Sequence, residues 1–135
     1  MILQLSICGD NGMFEILFLL YLVNATFLIL HEIDSAYWQE WKLFNLPGGI
    51  TGFLLFHIPV LPFFMYGLVE VYNQSPISWF FSLILSFTGI FAFCIHLFFI
   101  KVKKREEFTT VTSISLLVCI LILSILQLVL TLSLI

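Results

Sequence analysis

The sequence predicts an all-α integral membrane four-helix bundle with both termini on the exterior side. Three observations predict it. Of the 135 residues, 61% are hydrophobic and only 10% charged, with a mean hydropathy of +1.16. A domain this small cannot cover so much apolar surface with so few charges unless its solvent is lipid. The apolar residues fall into four runs, each long enough for a hydrocarbon core about 30 Å thick, which takes roughly 20 residues per helix. Finally, all five basic residues fall on one side of the alternating topology that four spans impose. One membrane domain over residues 1–135 is expected, with no separate soluble domain.

Span 1 is expected over residues 13–38. It follows the turn-like Gly9-Asp10-Asn11-Gly12, and its helix is expected to continue because nothing breaks the chain before Pro47. The preceding residues lack a basic stretch and a small-residue cleavage site, so the first apolar run is expected to be a retained span. Trp38 and Trp41 read as interfacial anchors. Span 2 is expected over 49–72 and contains Pro59 and Pro62. Pro59 removes a backbone donor and crowds the carbonyl of Leu55, which predicts a bend near His57. A polar turn ending in Pro76 leads to span 3, over 77–100. Span 4, over 108–135, follows the basic residues Lys101, Lys103, Lys104 and Arg105.

Those four basic residues and Lys42 share one face of the membrane, and the positive-inside rule makes that face cytoplasmic. A multi-pass protein of a cytoplasmic (inner) membrane is expected. The basic cluster meets anionic lipid and is no nucleic-acid patch. Cys8, Cys94 and Cys119 form no CxxC pair and no Cys/His cluster, which excludes a redox motif or a zinc knuckle. Phosphate-binding loops and nucleophile elbows are also absent from the sequence.

The informative stretch is residues 30–49, LHEIDSAYWQEWKLFNLPGG, polar against an apolar background. His31 lies seven residues, roughly 10 Å, below Trp38. His57 is about 12 Å into span 2 and His96 about 7 Å from Lys101. All three histidines therefore come to similar depth on the cytoplasmic side. Asn24, His31, Asp34, Ser35 and Trp38 share one helical stripe. Ser82, Gly89, Ala92 and His96 share another, whose small residues suit close packing in lipid and could also pair two copies as a homodimer. His31 and His96 are thus expected to face the bundle interior, whereas the stripe of His57 is wholly apolar and gives no direction. Glu40 is expected at headgroup level, solvated.

Any one of these residues alone is an ordinary packing or interfacial group. Three histidines at one depth, with His31 and Asp34 one turn apart, make a candidate site, because polar groups inside a membrane are costly. Three chemistries fit. His31, His57 and His96 with Asp34 would give a His₃/Asp shell for zinc or iron, with Glu32 as general base. Two histidines could instead ligate a haem in a redox protein. Or the set serves a transporter-like or partner-binding bundle as proton relay or packing glue. The first reading implies a metal-dependent membrane enzyme acting on a lipid or another hydrophobic substrate.

The same stretch resembles small bacterial integral membrane proteins of the HXXEE kind. The resemblance rests on His31-Glu32-Ile33-Asp34, followed by Tyr37-Trp38 and Leu46-Pro47-Gly48-Gly49. Asp34-Ser35 stands where that pattern has two consecutive Glu. The resemblance covers about twenty residues, implies a bacterial inner-membrane setting, and carries no activity with it.

Overall fold

A computed structural model describes the backbone of residues 2–45, 47–103 and 110–135, and the side chains of 12–45, 47–102 and 110–135. The Cys8, Lys103, Lys104, Arg105 and Thr109 side chains lie outside the described residues. Four helices follow one another: α1 (Ile2–Tyr37), α2 (Gly49–Tyr72), α3 (Ser78–Lys103) and α4 (Val111–Leu134), with a short 3₁₀ turn, Glu40–Lys42, between α1 and α2. No strand occurs among the described residues. Each helix contains a segment long and apolar enough to cross a membrane: Gly12–Tyr37, Gly49–Tyr72, Ser78–Val102 and Val111–Leu134. The architecture is that of a small multi-pass membrane protein.

Two local expectations change. Residues 9–12 form no turn, because α1 is already helical from Ile2. Glycine and asparagine only weaken a helix, by about 1 kcal/mol for Gly, and there is no proline here to stop it. At its other end α1 does not continue toward Pro47. It stops at Tyr37, and Gln39 takes a left-handed conformation with φ 58°. That conformation costs a non-glycine residue about 1 kcal/mol. The reversal brings Glu40 inside, where it is 5% exposed, and sets the Trp41 ring 5.7 Å from that of Phe53. The turn then closes through Lys42 N–H to the Gln39 carbonyl and Leu43 N–H to that of Glu40. Gly48, at φ 88°, starts α2, and the Gly52 backbone lies so close to Pro47 that a Cβ would strike its carbonyl oxygen.

Helix α2 stays helical through Pro59 and Pro62. In lipid there is no hydrophobic drive between helices, so close contact and interhelical hydrogen bonds hold a bundle together. Both are present. Gly67 of α2 lets the Tyr21 hydroxyl and Phe81 approach its backbone, and Tyr21 donates to the Phe64 carbonyl at 3.0 Å. Gly89 of α3 accommodates Ser124 and Ile120 of α4 in the same way. Ser82 and Gly89 of the α3 stripe thus pack against α4 of the same chain.

A fully buried polar network crosses the bundle. Asn24 Nδ2 donates to Ser124 Oγ at 3.1 Å and to Gln127 Oε1 at 2.9 Å. Gln127 Nε2 donates to the Ser82 carbonyl and hydroxyl, and Ser82 and Thr131 share a 2.7 Å hydrogen bond. This network joins α1, α3 and α4. Helix α2 stands outside it, and between α2 and its neighbours lies a cavity.

Candidate metal centre

His31 and His96 face the interior, as their stripes require, and are 3% and 5% exposed. Their rings meet edge to face with centroids 4.7 Å apart. From the reversed segment after α1, Glu40 reaches the same point, its Oε1 2.7 Å from His96 Nε2. His31, Glu40 and His96 can each offer one ligand atom such that all three lie within 4.8 Å of one another. The donors come from α1, the 3₁₀ turn and α3, so the group joins three separate pieces of chain.

The second nitrogen of His96 fixes its tautomer. Nδ1 lies 2.8 Å from the Ala92 carbonyl, which can only accept, so Nδ1 carries hydrogen and Nε2 is the nitrogen turned to the centre. A ligating histidine is commonly oriented in this way, with its other N–H on a backbone carbonyl. Between Nε2 and Oε1 there is then one proton, which a cation would replace. His31 Nδ1 is buried and has no hydrogen-bond partner among the described residues. A buried polar nitrogen left without a partner is costly, and a ligand would relieve that cost. Two imidazoles and one carboxylate are a donor set for zinc or non-haem iron. The edge contact between the two imidazoles leaves no gap for a porphyrin between them.

The other expected residues are placed differently. His57 does turn inward, but its Nε2 lies 2.8 Å from Glu32 Oε2 while Nδ1 donates to the Phe53 carbonyl at 2.7 Å. Glu32 and His57 form a second imidazole–carboxylate pair beside the first. Asp34 is half-buried and stands outside the group of three, as does His57. Glu40, expected in solvent, supplies the carboxylate instead. The physical reason is the chain reversal at Gln39, which a continued helix would have prevented by carrying Glu40 away from the bundle. No local spacing announces Glu40. The only hint is that a charged residue precedes the tight Pro47-Gly48-Gly49 corner, where the chain must already be returning. In α4 the sequence reading passes over Ser124, Gln127 and Thr131, whose signal is three polar residues at helical spacing within the otherwise apolar stretch 116–132.

Both pairs open onto one cavity of about 730 Å³. His31, Glu32, Glu40, His57 and His96 line one part of it, and residues such as Val60, Phe64 and Leu85 line the rest.

No curated protein and no solved structure matches the chain. A family model, Family of unknown function (DUF6713), matches residues 17–134. That span takes in all five histidine and glutamate residues of the cavity and reaches into all four membrane-crossing helices. The HXXEE resemblance covers a short stretch within it, and membership of that kind is not what the match establishes. Extending over nearly the whole bundle, the match shows that the chain belongs to the Family of unknown function (DUF6713).

Proposed function

We propose that this protein is a metal-dependent membrane enzyme whose His31, Glu40 and His96 hold one zinc or iron ion at the polar end of an apolar cavity. The observation that carries the reading is the convergence of three buried donors, from three chain segments, within 4.8 Å. Three protein ligands leave a position for water or substrate, as in catalytic rather than structural sites. Bound there, such an ion polarises a carbonyl or lowers the pKa of water. The chain's own residues supply the rest. His96 is oriented by Ala92, the Glu32–His57 pair accepts and returns a proton across 2.8 Å, and the aromatic lining excludes bulk water.

The same reading places both termini outside and the cavity's polar end at the cytoplasmic face of a bacterial inner membrane, on the strength of the five basic residues. Purified protein should carry close to one metal per chain by elemental analysis. His31→Ala, Glu40→Ala and His96→Ala should each remove most of it, whereas His57→Ala should retain it. Retention in all four variants, or no metal in the parent, would sink the proposal.

A second reading is favoured by the two imidazole–carboxylate pairs, each holding a proton at hydrogen-bond distance. They suit a proton relay in a non-enzymatic transporter. A metal-free parent that moves protons into vesicles, and loses this with His96→Ala, would select that reading.

A further inference from the structure

We infer that the cavity holds a single acyl chain, its carboxylate or ester oxygen at the His31, Glu40 and His96 group and its methylenes between α2 and α3. For the head-group contact this rests on the metal-centre reading above.

The polarity of the wall argues for an amphiphile. The charged and imidazole groups gather at one end. Thr88, the one hydroxyl residue of the lining among the described residues, already donates to the Ile84 carbonyl at 2.8 Å. A ligand that is polar throughout would leave its own groups unpaired along the apolar part, at a cost for each. A wholly apolar ligand would leave the unpartnered His31 Nδ1 as it is.

The dimensions set the length of the chain. From His96 to Leu85 is eleven residues along α3, or about 16 Å, and from His57 to Phe64 seven residues along α2, or about 10 Å. That is the reach of an acyl chain of roughly a dozen carbons. A volume of about 730 Å³ lies within the ordinary range for one small ligand.

The rim argues for entry from the bilayer. Phe56 of α2 and Phe91 of α3 both line the cavity and are 60% and 64% exposed, so its edge is hydrocarbon facing lipid. A long-chain acid or ester partitions into the same layer and reaches the edge without crossing water.

The test uses the whole protein in phosphatidylcholine nanodiscs with a dodecanoate analogue carrying a photoreactive group near its methyl end. Cross-linked peptides are mapped by mass spectrometry, and metal is measured on the same samples. Label should concentrate on the segments of Phe64 and Leu85 and be displaced by excess dodecanoate. Ala25→Phe, which fills the cavity from α1, should reduce that labelling several-fold with metal content unchanged. If that variant does not fold, Val60→Phe fills the space from a half-buried position on α2 and should do the same. Labelling spread equally over lipid-facing residues of α4 such as Val118 and Ile125, or indifferent to a folded filling variant, would overturn the inference while leaving the metal centre standing. Cavity labelling in a protein that binds no metal would keep the chain in the cavity and overturn the metal-bound head.

Discussion

Replacing Gln127 by Leu should destabilise the bundle by about 2 kcal/mol. The side chain is fully buried and makes three hydrogen bonds that tie α4 to its neighbours: one from Asn24 on α1 and two to Ser82 on α3. Interhelical hydrogen bonds in membrane proteins average about 0.6 kcal/mol each, so losing three gives roughly 2 kcal/mol. Leucine has nearly the same volume, so no cavity cost is added. The loss is also bounded from above, because neither partner is stranded. Asn24 Nδ2 keeps Ser124, and the Ser82 hydroxyl keeps Thr131. Unfolding in bicelles, read by steric trapping, gives the free energy directly. Ser115→Ala is the control: that hydroxyl is exposed and, among the described residues, bonds to the Val111 carbonyl of its own helix, so its change should stay within about 0.5 kcal/mol. A Gln127→Leu protein as stable as the control would mean that the network does not hold α4 to α1 and α3.

Three further outcomes are expected. Glu40→Ala should lower the thermal midpoint and metal content far more than Asp34→Ala, because removing one partner of a buried pair costs about 3–5 kcal/mol; equal effects would put Glu40 in solvent. Metal-dependent stability should fall as pH falls, since only neutral imidazole ligates. Melts with and without chelator between about pH 5 and 8 should therefore differ at the upper end and converge at the lower. Reporter fusions after Ile135 and at Gln74 should give an exterior signal, and one at Lys101 a cytoplasmic signal; a cytoplasmic Ile135 would reverse the orientation.

The spans were legible because a bilayer imposes length and composition on a helix directly, whatever its neighbours do. Helical phase likewise carried His31 and His96 to the interior, since a stripe shared with Ser35 or with Ser82 and Gly89 has one direction to face. Phase says nothing once a helix ends. Glu40 was hidden because its position depends on the left-handed Gln39, a single backbone torsion stabilised by tertiary contacts that no local pattern encodes. His57 was ambiguous for the opposite reason. Its own stripe is apolar, and the group that turns it inward, Glu32, sits on another helix. Asp34 shows the limit of spacing arguments: it lies one turn from His31, yet the carboxylate that reaches the two imidazoles comes nine residues on from His31.

X-ray absorption at the metal edge of the loaded protein tests the central claim most directly, because it counts the ligands themselves. The account predicts two imidazole nitrogens at about 2.0–2.1 Å and a carboxylate oxygen at about 2.0–2.2 Å, with both imidazoles kept in His57→Ala and most of the metal signal itself lost in His31→Ala and His96→Ala. A shell without imidazole, or one that loses an imidazole only when His57 is replaced, would contradict it.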